Sequence, residues 1–324
     1  DATPCESATI NDIDEKSVSF FVKRAVKQKR IPESCLEESA EQILKRLHLI
    51  TNDRQMTMAA MLLFGKDIEQ WCPTAIFRIG RFGVSESDLI HNDDIICPLI
   101  MMPDTIMETL RSRYLVSPIH YEGMERVEPL EIPADGLREM LCNSIIHKDF
   151  QGTYIQMKVW NDHITLWNPG TLPLDFTIET LMKDHESIPR NKLIARVFYL
   201  AGYIEEWGRG YTKIRENFES EHLEMPTFSV VRGGFMANVK REVFSSVNSH
   251  VGNDVGNVSV KQLTERQRKI YHLIAASATI TAKQMSVMLS VTERTIERDL
   301  ATMQKNGSIR HEGKAKTGHW VVLI

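Results

Sequence analysis

The feature that most constrains the fold is a helix-like segment that carries three polar side chains in one row. It begins near Ala134, just after Pro133, and its apolar or small residues recur at helical spacing. These residues are Leu137, Met140, Leu141, Ser144 and Ile145. Glu139, Asn143 and His147 follow one another at intervals of four residues, so they stack along one side of the helix. Such a row can bind a ligand, or it can be an ordinary solvated face with an incidental histidine.

The residues after this helix predict a strand hairpin, a reverse turn and two more helices. Residues 153–160 and 163–167 alternate between polar and apolar side chains, as two strands joined by a tight turn do. Residues 168–170, Asn-Pro-Gly, then reverse the chain. An apolar helix follows the SIPRN sequence at residues 187–191, and Gly-Arg-Gly at residues 208–210 opens another helix. Glycines at the start of a helix leave backbone N–H groups available to an anion.

Four short motifs in this region occur in the order found in one known family. They are Glu139, Asn143 and His147 as ExxxNxxxH, NPG at residues 168–170, PRN at residues 189–191, and EEWGRG at residues 205–210. Together they resemble the GHKL-type, or Bergerat-like, ATPase domain. The resemblance is to the divergent form found in RecG-related bacterial and archaeal proteins and transcriptional regulators.

The resemblance implies a site for ATP and Mg²⁺. In the family the glutamate acts as general base on water and the asparagine binds magnesium, which makes Glu139 the expected catalytic residue and Asn143 the metal ligand. A carboxylate can accept a proton from water, and an amide oxygen is a hard ligand that suits Mg²⁺. The residues expected to bind the nucleotide are Asn143, His147, Asn168, Gly170, Arg190, Asn191, Gly208, Arg209 and Gly210.

Several of these roles have structural alternatives. His147 could orient a phosphate or interact with the end of its own helix. Arg190 could reach a phosphate or pair with a carboxylate as a clamp. Asn168 stands where the family pattern has an aspartate that accepts the adenine amine, and an amide accepts that bond less strongly. The domain could therefore bind ATP, or keep only the fold for dimerisation or scaffolding.

The last part of the chain predicts a winged helix-turn-helix. Thr264, Thr281 and Thr292 each stand where an N-cap precedes a helix-like segment. Residues 308–313 and 319–324 then form a hairpin. The side chains expected to face inward include Ile270, Leu273, Ile274, Met285, Met288 and Leu289. This tail resembles the winged-helix domains of bacterial transcription regulators.

A basic tail on an acidic body favours a nucleic-acid partner. From Lys261 onward the chain has 11 Lys and Arg against 5 Asp and Glu, which gives +6, whereas the remainder carries −10 of the total −4. The residues expected to contact double-stranded DNA are Arg294, Thr295 and Arg298 on the third helix and Lys314 and Lys316 on the wing. Regulators of this shape usually bind as homodimers. The alternative is a winged helix that contacts protein.

Length and composition predict several domains of α+β class. We expect an N-terminal α/β connector at residues 1–115, where the LLFG run resembles the segment preceding the ATPase domain in the family. A GHKL helix-on-sheet domain at 116–241, a flexible linker at 242–260 and the winged helix at 261–324 follow. The chain begins at Asp1 rather than Met, so we expect a piece of a longer protein, with the family's Schlafen-type AlbA-like domain upstream.

The remaining signals exclude some functions. The sequence contains no run of about eighteen apolar residues, so it predicts no membrane-spanning helix. The five cysteines are scattered and none forms a CxxC pair. A cytoplasmic location follows. The sequence lacks the GxxxxGK[ST] loop of a P-loop helicase motor. The sequence thus predicts a DNA-binding transcriptional regulator whose ATPase-like domain senses nucleotide or sets oligomerisation. The alternative is an ATP-hydrolysing enzyme that its winged helix recruits to DNA.

Overall fold

A computed structural model describes most of the chain as two compact units, residues 1–242 and 243–324. The described residues are 1–117, 120–122, 125–127, 130–174, 176–183, 186–205, 208–241, 264–276, 280–289, 291–305, 308–312 and 319–322. The predicted linker at 242–260 therefore lies outside them. Each unit is considered by itself.

The first unit opens with short helices, the third of which is buried beyond its first residue. In order, the elements are β1 (Pro4–Cys5), α1 (Glu15–Lys27), α2 (Ala40–Arg46), β2 (Met56–Thr57), α3 (Met58–Phe64) and α4 (Ile68–Trp71). Asp14 caps α1, and Ser39 forms a capping box with Gln42 at the start of α2. The residues of α3 after Met58 are all buried because this helix has no polar side chain to present to solvent. The LLFG run forms the end of α3, with Gly65 as its C-cap residue.

A mixed six-stranded sheet forms the rest of the first unit. Its strands and helices are β3 (Phe77–Phe82), β4 (Leu89–Ile95), α5 (Met102–Arg113), β5 (His120–Glu122), β6 (Glu125–Val127), α6 (Ala134–Ile146), β7 (Ile155–Val159), β8 (His163–Pro169), α7 (Ile178–Leu181), α8 (Lys192–Leu200), α9 (Gly210–Ser220), β9 (Thr227–Val231) and β10 (Gly234–Lys240). The sheet order is β4-β3-β7-β8-β10-β9, and only β3 and β7 pair in parallel. Strands β5 and β6 form a separate hairpin. The α+β class is confirmed.

Alternation along the strands buries one face of this sheet. On β8, Ile164, Leu166 and Asn168 are buried, whereas the residues between them are partly exposed. Their cross-strand partners on β10 include Val239 and Ala237, which are also buried. Helix α6 contacts β8, α8 and α9. The buried face of the sheet therefore ends at a polar residue, Asn168.

The sequence-based boundary at residues 115 and 116 falls inside the first unit. Strands β3 and β4 precede it, while the other four strands of the same sheet follow it. The predicted hairpin of residues 153–167 is confirmed as β7 and β8, and β9 and β10 form a second hairpin. Strand β4 was not predicted.

The second unit is a helical domain with a hairpin. Its elements are α10 (Glu265–Ala276), α11 (Ala282–Met288), α12 (Glu293–Lys305), β11 (Ile309–Glu312) and β12 (His319–Val322). Thr264, a predicted N-cap residue, exchanges with Gln267 the two hydrogen bonds of a capping box, at 3.1 and 3.3 Å. The core includes Ile270, Ile274, Met285, Ile296, Leu300 and Met303. The prediction that Met288 faces inward is wrong, since it is 64% exposed at the last residue of α11.

Candidate functional site

Helix α6 brings a buried carboxylate and an amide into direct contact. Glu139 is only 6% exposed, and Asn143 donates a hydrogen bond of 3.1 Å from Nδ2 to its Oε1. Burial raises the pKa of the Glu139 carboxyl. The Lys213 ammonium, 3.9 Å from Oε2, and the Asn143 amide partly offset that increase in pKa. The pair therefore combines a carboxyl that accepts protons more readily than usual with a neutral amide.

The N-terminus of α9 lies against this pair. A Cβ on Gly210 would lie 2.7 Å from Glu139 Oε1 and 3.2 Å from Asn143 Nδ2, so a larger residue here would have to displace one of these side chains or the helix. Gly208 has φ +64°, a conformation that also favours glycine. Arg209 is the N-cap residue, and the first N–H groups of a helix have no intrahelical partner. The first turn of α9 thus offers backbone donors beside Glu139 and Asn143.

The Asn-Pro-Gly turn lies toward the other end of α6. Gly170 has φ +132°, and a Cβ there would lie 2.9 Å from the carbonyl oxygen of His147, the C-cap residue of α6. Glu139 and His147 are eight residues apart, which is about 12 Å along a helix axis. The site is therefore elongated, with Gly210 near one end and Gly170 near the other.

Three aromatic rings connect the sheet to the start of α9. Phe235 is the cross-strand partner of Asn168, so the two side chains share one face of the sheet. The Phe228 ring stacks on Phe235 at 5.7 Å between centroids, and the Tyr211 ring meets Phe228 edge to face at 5.8 Å. We call Tyr211, Phe228 and Phe235 the aromatic wall. Sequence spacing does not reveal this wall, because two of its residues lie on neighbouring strands and the third on α9.

A cavity of about 200 Å³ joins these features. Eight predicted site residues line it: Glu139, Asn143, His147, Asn168, Gly170, Gly208, Arg209 and Gly210. The aromatic wall lines it as well. Apolar residues from the described part of the segment 171–189 also line it, among them Leu172, Phe176, Leu181 and Ile188. Glu206 and Trp207 of the EEWGRG motif lie outside the described residues.

Two predicted site residues are not among those that line the cavity. Asn191 is buried, and its Nδ2 donates hydrogen bonds of 2.8 Å to the carbonyl oxygens of Ile146 and Lys148. It therefore holds the C-terminal end of α6. Arg190 is exposed and donates a hydrogen bond of 2.8 Å to the carbonyl oxygen of Thr171. The structure thus places Arg190 and Asn191 outside the cavity, as braces for the turn after β8 and for α6, whereas Pro189 of the same motif lines the cavity.

Lys213 is a site residue that sequence reasoning missed. It lies in the first turn of α9, where the helix dipole disfavours a cation. That misplaced charge was a readable signal that a carboxylate or a bound anion compensates it nearby. The structure supplies the carboxylate in Glu139.

The donor set suits Mg²⁺ held together with phosphate. Among the described residues, no cluster of three or more His, Cys, Asp or Glu could hold a metal by itself. Asn143 uses its Nδ2 to contact Glu139, which leaves its amide oxygen as a hard ligand on the cavity wall. Mg²⁺ commonly takes one or two protein oxygens together with phosphate oxygens and waters. The residues present fit that pattern.

The second unit presents two arginines on α12. Arg294 and Arg298 are exposed, whereas Ile296 and Leu300 on the same helix are buried in the core. Thr295 is half-buried, with its hydroxyl 2.8 Å from that of Thr292. Lys314 and Lys316 of the predicted wing lie outside the described residues. Helix α12 therefore exposes Arg294 and Arg298 opposite its core residues, next to the exposed carboxylates of Glu293 and Glu297.

Comparisons with protein families match both units. Residues 152–239 match the family described as "Putative ATP-dependent DNA helicase recG C-terminal", and residues 266–319 match the family described as "HTH domain". The chain has a RecG-related, ATPase-like domain followed by an HTH domain. HTH domains are DNA-binding modules. In this RecG-related architecture, residues 1–75 match a domain of unknown function.

Similarity to a solved structure bears on the fold of this chain and on nothing further. The chain is similar to the crystal structure of the DIP2311 protein from Corynebacterium diphtheriae, with 16% identity and a TM-score of 0.60. The similarity covers 99% of this chain and 63% of that one, so this chain spans less than two thirds of its relative. No curated protein matches. None of the described helices is both long and apolar enough to cross a membrane.

Proposed function

We propose that this protein is a DNA-binding transcriptional regulator whose ATPase-like domain binds a magnesium nucleotide in the α6–α9 cavity. One observation carries the proposal. Glu139, Asn143, Asn168 and Gly210 come from three separate elements, yet all line one elongated cavity. Residues that serve only stability are not expected to meet in one polar-ended, aromatic-walled cavity. A GHKL helix-on-sheet fold, with α6 packed on β8, agrees with this placement.

The two ends of the cavity take different parts of the nucleotide. The first turn of α9 donates backbone N–H groups to phosphate oxygens, and the exposed guanidinium of Arg209 adds positive charge. Asn143 would hold Mg²⁺ through its amide oxygen, and the ion neutralises phosphate charge when bound. Asn168 and the two phenylalanines of the aromatic wall, Phe228 and Phe235, line the part that receives the base.

The second unit supplies the contact with DNA. Helix α12 enters the major groove, where Arg294 and Arg298 reach base edges or phosphates and Thr295 lies between them. The second unit of one protomer reads only a few base pairs. We therefore propose that a homodimer presents two copies of α12 about 34 Å apart. The operator then has two half-sites separated by one turn of DNA.

A second function, ATP hydrolysis, is favoured by the state of Glu139. A general base is most effective when its pKa lies near the working pH, and burial raises the pKa of this carboxyl in that direction. Asn143 and Lys213 fix the carboxylate from two sides. Glu139 would take a proton from a water molecule placed between it and the phosphates.

The test measures DNA binding by the full chain with and without Mg-ATP. Fluorescence anisotropy against a library of duplexes should find a preferred site, and Mg-ATP should change the affinity for that site. If no duplex binds at low salt, the regulator proposal is wrong and the second unit contacts protein. Turnover of ATP that Glu139→Gln abolishes would support hydrolysis as well.

A further inference from the structure

Asn168 is a largely buried residue, only 5% exposed, whose side chain lines the cavity. It makes no side-chain hydrogen bond to the described residues and is not among their fully enclosed unpartnered polar groups, so its amide opens to the cavity. Because Asn168 lines the cavity, both its donor and its acceptor are available to a molecule inside.

The surroundings of Asn168 suit a planar ring. Leu166 lies two residues earlier on the same strand face, and Phe235 is paired with Asn168 across the sheet. Phe235 then contacts Phe228, which contacts Tyr211 beside Gly210. A flat aromatic ligand next to Asn168 would therefore lie against apolar and aromatic side chains, with its other end directed to the start of α9.

An amide at this position reads a ring edge differently from a carboxylate. A carboxylate only accepts hydrogen bonds, so it pairs with the amino group of a 6-aminopurine and repels the carbonyl of a 6-oxopurine. An amide carries a donor and an acceptor side by side, and it can rotate to exchange them. It can accept from the amino group of adenine and donate to the adjacent ring nitrogen. It can equally donate to the carbonyl of guanine and accept from the ring N–H.

We infer that this cavity binds 6-aminopurine and 6-oxopurine nucleotides with similar affinity, and that Asn168 is the residue that permits both. This inference rests on the proposed nucleotide site and adds its substrate class. The matching variant, Asn168→Asp, replaces the amide NH2 group by a carboxylate oxygen and keeps the side-chain shape. It should convert the cavity into one selective for adenine.

The experiment is a calorimetric titration of the full chain with the magnesium salts of ATP, GTP, ITP and CTP. In the unmodified protein, ATP, GTP and ITP should bind within about tenfold of one another, and CTP should bind more weakly because a pyrimidine does not fill the same space. In Asn168→Asp, the ratio of GTP to ATP dissociation constants should rise at least about tenfold. A melting curve confirms that the variant is folded.

The outcomes separate the two proposals. If the unmodified protein binds ATP but rejects GTP and ITP, or if CTP binds as well as ATP, the inference is wrong while the nucleotide site stands. The same holds if Asn168→Asp folds and leaves the ratio unchanged. If none of the four nucleotides binds, the nucleotide site itself is wrong. The ATP and ITP comparison needs no variant, so the test holds even if Asn168→Asp fails to fold.

Discussion

Asn143 donates a hydrogen bond of 3.1 Å to Oε1 of Glu139 one helical turn earlier. This bond fixes the amide so that its nitrogen faces the carboxylate and its oxygen is left for the cavity. It also joins the candidate metal ligand to the candidate general base. A change to either residue should therefore affect the other.

Gly210→Ala tests the contact between α9 and this pair. The added Cβ would lie 2.7 Å from Glu139 Oε1, so the carboxylate or the helix must shift. We expect nucleotide affinity to fall at least about tenfold, or about 1.4 kcal/mol. Stability should change little, because alanine is a better helix former than glycine. Glu216→Ala, on an exposed position of the same helix, is the control and should bind as the unmodified protein does.

Glu139→Gln should stabilise the protein, to an extent that depends on pH. The folded-state pKa of Glu139 is raised above its ordinary value of 4.5, so the folded protein binds more protons than the unfolded chain in that window. The stability of the unmodified protein therefore falls as pH rises through the window. Glutamine avoids this loss.

The measurement is urea unfolding of both proteins across a pH series. The stability gain of Glu139→Gln should be present at neutral pH and should disappear once pH falls below 4.5. A gain that is equally large at all pH values would mean that ionisation of Glu139 is not its cause.

Much of this site could be predicted from the sequence, because its motifs are local. The spacing of Glu139, Asn143 and His147 placed them on one side of α6, and the glycines marked the start of α9. The aromatic wall depends instead on strand register, since Phe235 meets Asn168 only when β10 pairs with β8. Strand β4 was missed because it carries exposed apolar residues and two aspartates instead of a regular alternation.

The ion pair of Arg241 and Glu131 is another feature that spacing could not predict, since 110 residues separate its members. Arg241 donates hydrogen bonds of 2.9 and 2.6 Å to the two carboxylate oxygens, and the side chains are 2% and 1% exposed. Arg241→Met would leave a buried carboxylate unpaired, which should cost about 3–5 kcal/mol in unfolding experiments. Adding Glu131→Gln to this variant should restore most of the lost free energy of unfolding. If the double variant is as unstable as the single one, packing of the arginine matters more than its charge.

Arg298→Ala should weaken sequence discrimination by the second unit. A bidentate arginine–guanine contact contributes roughly 1–3 kcal/mol of discrimination, so preferred and random duplexes should bind more alike. Lys316→Ala should instead weaken binding to all duplexes alike. The slope of the logarithm of the binding constant against the logarithm of salt concentration should become smaller in magnitude by about 0.9. Lys283→Ala, an exposed cation on α11, is the control for sequence discrimination. Equal loss on all duplexes from Arg298→Ala would place that residue on the phosphate backbone.

The most direct test of the account is calorimetric titration of Mg-ATP into the full chain and into Asn143→Ala. Asn143 lines the cavity and contacts Glu139, and its oxygen is the proposed magnesium ligand. The account predicts that the unmodified protein binds Mg-ATP at one site and that Asn143→Ala loses at least about tenfold in affinity. The loss should shrink when Mg²⁺ is chelated. Absence of binding to the unmodified protein, or equal binding by both proteins with and without Mg²⁺, would contradict the account.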